Sequence, residues 1–187
     1  MRTEEIRLII ITVPPDDLCA EIDAFRREIA PIGDSYEALT YPPHITLRTG
    51  AIVPVEALED YGERLERHLA DRRPFPIATA SLEQSSYTAD GQIRHFVGYG
   101  IRRSEELLAL NRRLLRFRDW IKSDRTDFHP HLTAAFHDLD GAGATRVDRW
   151  IKANPERVPA GFAWTCDNVG LWRRGNERWE PLRVIRF

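Results

Sequence analysis

The chain has 187 residues, of which 42% are hydrophobic and 30% charged, and its formal net charge is -2. This length suits one domain, or two small lobes around a shared core. A balance so close to neutral excludes a strongly basic nucleic-acid-coating protein, so a polyanionic substrate has to be met by a local patch.

Residues 6–13 form an apolar, β-branched run that reads as a central strand buried on both faces. The run is too short to span a membrane, and its charged lead-in is not a signal-peptide pattern, so a cytoplasmic protein without membrane contact is expected. Pro14, Pro15, Asp16 and Asp17 open a helix, with the acids where the dipole favours them. Leu18, Ile22, Phe25 and Ile29 form its apolar face, and Pro31 marks its end. Pro42 and Pro43 then enforce extended backbone, and residues 44–53 read as a strand with a break at Gly50. Pro54 starts a second helix, with Leu58, Tyr61, Leu65 and Leu69 inward. Residues 75–82 alternate as a strand.

Residues 83–92 are polar, contain the turn pair Asp90-Gly91, and read as a joint between two halves. Residues 93–101 form another apolar strand. Ser104 caps a helix predicted to run to about Ile121, with Leu107, Leu110, Leu114, Phe117 and Ile121 on one face. Its outer face carries Arg112, Arg113, Arg116 and Arg118, which reads as a solvated face. Residues 122–127 form a polar loop, 128–136 a strand and 144–153 a short helix with Val147, Trp150 and Ile151 inward. Residues 162–172 and 179–187 form a terminal hairpin. The two cysteines, Cys19 and Cys166, form no Cys-x-x-Cys pair, so two reduced, mostly buried thiols are expected.

Each half thus runs strand, helix, strand, helix, strand. An 87-residue offset carries His44 to His131, Ile6 to Ile93, Arg7 to Arg94 and Phe75 to Phe162. The pattern predicts a duplicated unit with lobes from about 1–85 and 90–187 of a single domain, related by a pseudo-twofold. Arg7 and Arg94 recur within it and read as salt-bridging residues at a sheet edge.

The two strands equivalent under this offset carry the same chemistry. Tyr41-Pro42-Pro43-His44-Ile45-Thr46-Leu47-Arg48 and Phe128-His129-Pro130-His131-Leu132-Thr133-Ala134-Ala135-Phe136 each hold a His-x-Thr unit behind a proline. Side chains two apart on a strand share a face. Each unit therefore presents an imidazole and a hydroxyl together and turns its apolar middle residue to the core. Two imidazoles facing one cleft can serve as general base and general acid. Two threonine hydroxyls beside them can donate to non-bridging phosphate oxygens. Phosphodiester hydrolysis uses these functions, and a strained cyclic diester is a substrate that such a site can open without a metal.

On these paired units, and on the element order of the whole chain, the sequence resembles the 2H phosphoesterase superfamily, including the LigT-like 2'-5' RNA ligase and 2',3'-cyclic phosphodiesterase group. The resemblance implies an α+β fold, bilobal and duplicated, with two antiparallel-rich sheets, helices outside and a central cleft. It implies hydrolysis of cyclic or 2'-5' phosphodiesters, with a nucleotide or RNA-terminus cyclic phosphate as partner and no cofactor or metal. Carried over, His44 and His131 are the catalytic pair and Thr46 and Thr133 hold the phosphate. By analogy, His131 is the base and His44 the acid. The chain departs from LigT-like members five positions after the second histidine, where a basic residue is common and Phe136 stands here. A basic residue follows the first motif instead, and Arg48 shares parity with His44 and Thr46, so a regular strand turns it to the cleft. Tyr41, Phe136 and Trp172 are candidates to contact a base, against core packing as the plainer account.

Two other functions use the same residues. One is a nucleotide or RNA-binding module with little turnover. The other is a zinc-dependent hydrolase, with His129, His131 and His44 as ligands. No protein partner is evident. His68 and His137 read as surface residues and His95 as structural.

Overall fold

The structure, a computed structural model, describes residues 4–89, 91–121 and 128–187. The predicted loop at 122–127 and Asp90 of the predicted turn lie outside the described residues. The described elements are β1 (Glu5–Thr12), α1 (Asp16–Gly33), β2 (Ile45–Pro54), α2 (Leu58–Leu69), β3 (Phe75–Ala89), β4 (Gln92–Ile101), α3 (Glu105–Arg116), β5 (His131–Ala135), α4 (Gly141–Ala153), β6 (Ala163–Cys166), β7 (Asn168–Arg174) and β8 (Trp179–Arg186). The fold is α+β. The strands form one antiparallel sheet in the order β6-β3-β4-β5-β2-β1-β7-β8.

Only Asp167 separates β6 from β7 in the chain, yet β6 stands at one end of this order and β7 next to the other end, inside β8. The sheet therefore curls until its ends meet. Where two sheets were expected, one curled sheet is found, built of the quartets β6-β3-β4-β5 and β2-β1-β7-β8. The quartets meet at β2 and β5, where the single registered pair is Ile45 opposite Leu132. These residues are 87 apart, so each faces its own counterpart under the sequence repeat.

The helices cross between the halves. Helix α1 packs on β5 and α4, and α4 packs on β4, whereas α3 packs on β2 and β3 and α2 on β2 and β8. The core lies between helices and sheet, with Leu8, Ile10, Ile45, Leu47, Val97, Tyr99 and Leu132 from the strands. A smaller apolar cluster of Ile9, Ile11 and Trp179, joined by Val13, Tyr41 and Trp172, covers the other face of β1. Both faces of β1 are thus covered, as its apolar run predicts.

Several boundaries differ from the sequence reading, each for a local reason. The polar stretch after Leu82 is strand, and β3 continues to Ala89 as a hairpin with β4. Cross-strand hydrogen bonds hold it, although Glu83, Gln84, Ser85 and Ser86 are exposed. Helix α1 passes Pro31 and ends at Asp34, which adopts a left-handed φ of 55°. A proline in the last turn removes one hydrogen bond without stopping the turn. Helix α3 ends at Arg116, because Phe117 turns to ψ 90°. Trp120 (φ 59°) then returns the chain to β2, where the Ile52 N–H donates to the Trp120 carbonyl. Phe117 and Ile121 still pack inward, so apolar spacing continues beyond the helix. The predicted strand at 162–172 splits at Asp167 into β6 and β7, which pair with β3 and β1.

Candidate active site

The single Ile45–Leu132 pair sets the site. Antiparallel continuation on either side places His44 beside Thr133 and Thr46 beside His131. The middle residues Ile45 and Leu132 are fully buried in the core, as alternation requires. Pro42-Pro43 and Pro130 precede the histidines and hold their backbone extended.

Both imidazoles are oriented in the same way. His44 Nδ1 lies 2.7 Å from the Pro42 carbonyl, and His131 Nδ1 lies 2.7 Å from the His129 carbonyl. A carbonyl oxygen only accepts, so each Nδ1 carries the proton. In the neutral ring, Nε2 then bears the lone pair. The two histidines thus share one tautomer and one hydrogen bond to the residue two before them.

Their surroundings differ. The His44 ring stacks on Tyr41 at 5.6 Å, and Tyr41 stacks in turn on Trp179 at 5.2 Å. Burial pushes the His44 pKa down to about 4, against the raising effect of the Pro42 carbonyl, with the charges of Arg26 and His131 pushing the same way as burial. His131 meets the edge of Phe96 at 4.9 Å.

A cavity of about 620 Å³ opens beside His131, with Thr46, Arg48, Phe136, Tyr87 and Arg103 also among its walls, whereas His44 and Thr133 do not line it. Thr133 is 7% exposed. Phe136 meets the edge of Tyr41 at 6.0 Å. Trp172 packs with Tyr41 in the small cluster on β1.

Arg48 does not follow simple alternation. Thr46 pairs with Ile11, but Arg48 pairs with Ile10, because β2 carries an extra residue between them. Ile10 belongs to the main core and Ile11 to the opposite face. Arg48 is consequently 8% exposed, acts electrostatically on the Tyr61 hydroxyl of α2 and still borders the cavity.

Other side chains at the site were not singled out by the sequence. His137 is exposed, as expected of a surface residue, but it takes φ 64° just after β5 and bonds the Tyr87 hydroxyl at 3.2 Å on the cavity wall. Arg103 donates from Nη2 to the Phe128 carbonyl at 3.0 Å and to His129 Nδ1 at 3.2 Å. Arg26 is 1% exposed and reaches β5 and the segment ahead of β2, donating to the Thr133 and Tyr41 carbonyls. It sits on α1 among Ile22, Phe25 and Ile29, and a charge on that apolar stripe was the legible signal. Among the described residues, no three His, Cys, Asp or Glu side chains gather in a geometry for a metal ion.

The family model of the 2'-5' RNA ligase superfamily matches residues 14–178. The chain belongs to the 2'-5' RNA ligase superfamily. Its fold is that of the 2H phosphoesterases. Escherichia coli LigT complexed with 3'-AMP aligns over 98% of this chain and 99% of its own, at 18% identity and TM-score 0.62. TT0787 of Thermus thermophilus aligns over 97% of each chain, at 17% identity and TM-score 0.62. Usb1 of Kluyveromyces marxianus aligns over 99% of each chain, at 12% identity and TM-score 0.50. No curated protein matches the chain by sequence. Membership supports an enzyme, and among the described residues no helix is long and apolar enough to cross a membrane. The cysteines are free, Cys19 half-buried and Cys166 buried. The arginines of α3 include ion-paired ones, Arg113 with Asp71 at 2.9 Å and Arg112 with Glu105 at 3.6 Å.

Proposed function

We propose that this superfamily member is a metal-independent phosphodiesterase that opens a cyclic or 2'-5' phosphodiester at a nucleotide or RNA end. The supporting observation is the matched orientation of His44 and His131, each with Nδ1 on the carbonyl of the residue two before it. Thr46 and Thr133 hold the non-bridging oxygens, and the aromatic surface of Tyr41 and Phe136 borders the base.

The depressed pKa of His44 keeps it neutral at pH 7, which suits a base better than an acid. This reverses the family analogy. His44 Nε2 takes a proton from water, the water oxygen bonds to phosphorus, and the P–O bond to the ribose oxygen breaks. His131, protonated on both nitrogens, gives its Nε2 proton to that leaving oxygen. The products are a phosphomonoester and a free hydroxyl.

Purified protein in EDTA is expected to hydrolyse a 2',3'-cyclic nucleotide. His44→Ala and His131→Ala are each expected to lower kcat by about 10²–10⁴-fold while unfolding as cooperatively as the parent. Parental turnover in both variants refutes the reading. Nucleotide binding without product in the parent favours the binding module, and activity lost on chelation favours the zinc hydrolase.

A further inference from the structure

We propose that Arg26 is a positioning residue that holds the two His-x-Thr units at a fixed spacing from α1. The inference rests on the reading that both units act on one phosphate. The motif strands need such a clamp. β2 and β5 share one registered pair, whereas β3 and β4 pair along the whole of β4. The seam that runs through the site is the thinnest ladder in the sheet, and backbone pairing alone leaves it free to hinge.

Arg26 spans the seam. Its Nε and Nη2 donate to the Thr133 carbonyl at 2.9 and 2.8 Å. Its Nη1 donates to the Tyr41 carbonyl at 3.2 Å and to Asp23 Oδ1 at 3.2 Å. Thr133 is the proposed phosphate ligand of the second unit. Tyr41 opens the first, and its ring stacks on His44. One planar guanidinium thus ties a backbone point in the second unit to the segment that leads into the first.

The chemistry argues against a filler role. A guanidinium taken out of water costs free energy that an aliphatic side chain on the same face avoids. Its rigid fork is also suited to holding two acceptors at set directions, which the point charge of lysine is not. Arg26 further acts on His44 as a nearby positive charge. The groups facing His44 are Arg26 from α1, His131 from β5, and the Pro42 carbonyl and Tyr41 ring ahead of β2. Asp23 and Cys19 face Arg26 from its own helix.

Three variants test the proposal: Arg26→Lys, Arg26→Met and Asp23→Asn. Displacing reacting groups by an ångström costs about 10²-fold, so kcat for a 2',3'-cyclic nucleotide is expected to fall by about that factor in Arg26→Lys, with KM changed much less. Asp23→Asn keeps both carbonyl contacts and is expected to retain parental kcat. The His44 titration, followed by NMR, is expected to move up in Arg26→Met, where the cation is lost, and to stay near the parental value in Arg26→Lys. Amide exchange at Ile45 and Leu132 is expected to quicken in Arg26→Lys, a readout that stands even if the parent proves inactive on cyclic phosphates. Parental kcat and parental exchange in folded Arg26→Lys overturn the proposal. So does an Arg26→Met protein whose His44 titrates as in the parent. If Arg26→Met does not fold, Arg26→Lys and Asp23→Asn decide the matter through kcat and exchange.

Discussion

His44 shows how much one side chain's surroundings determine. Its folded pKa is pushed down to about 4 by burial first, then by Arg26 and His131, whereas the unfolded chain titrates near 6.5. Between those values the unfolded state binds a proton that the fold does not. Stability is therefore full above pH 6.5 and falls as pH drops toward 4, with a slope of up to about 1.4 kcal/mol per pH unit from this group. Denaturant unfolding of His44→Gln is expected to show a shallower acid slope than the parent over that window. The threonines make a different prediction. A hydrogen bond to a charged oxygen contributes about 1.5–3 kcal/mol, so Thr46→Val and Thr133→Val are each expected to lower kcat/KM about 10–100-fold. Both changes keep the shape of the side chain, and Tm is expected to shift by only a few degrees. The inward turn of Ile45 and Leu132 between each histidine and threonine was legible, because a two-residue spacing on a strand needs no knowledge of the rest of the fold. Arg48 was not legible in the same way, since parity holds only for an unbroken pleat and β2 gains a residue at the site. His137 and Tyr87 were out of reach for a similar reason: a left-handed turn at His137 brings it to a hydroxyl 50 residues away.

At the level of elements, strand β4 presses closely on the second motif. A Cβ added at Gly98 would strike the ring of Phe96 and come within 2.6 Å of the Leu132 carbonyl. That carbonyl lies between His131 and Thr133, and the Phe96 ring meets His131 edge-on. Gly98→Ala is expected to cost about 1–3 kcal/mol in denaturant unfolding, as overpacking does, and to lower kcat as well. Gly91 is the contrasting case. It sits in the β3–β4 hairpin with φ +73° and open space around it. Gly91→Ala is expected to cost about 1–2 kcal/mol from backbone strain without touching kcat. Equal kcat loss in the two variants would remove the link between Gly98 and the site. The hairpin also shows where element reading stopped. Helices and apolar strands declared themselves by periodicity, but β3 beyond Leu82 is held by its partner strand with polar side chains in solvent, and no apolar pattern marks that. Conversely, the inward spacing of Phe117 and Ile121 suggested helix where the chain had already turned.

The whole molecule depends on a closure that no local pattern announces. Residues 166 and 168 are one residue apart in sequence, yet they belong to β6 at one end of the sheet order and β7 next to the other end. Asn168 secures the crossing: its Oδ1 accepts from the Val13 N–H at 3.1 Å and its Nδ2 donates to the Val13 carbonyl at 2.8 Å. Thr12 and Cys166 meet beside it at 3.2 Å, and Thr12 pairs with Ile45 of the first motif. The closure therefore stands behind the strand that delivers His44 and Thr46, while the thin β2–β5 seam lies in front of it. Asn168 is 9% exposed, so truncation leaves a backbone donor and acceptor with poor access to water, each costing about 1–3 kcal/mol. Asn168→Ala is expected to lower Tm by several degrees, at about 2–4 °C per kcal/mol for a chain of this size. Amide exchange is expected to quicken first at Val13 and then along β1 into β2, with β4 and α4 protected as in the parent. Uniform loss of protection across both quartets would instead mean that the sheet opens as one unit, and that the two motif strands are held by the curl as a whole.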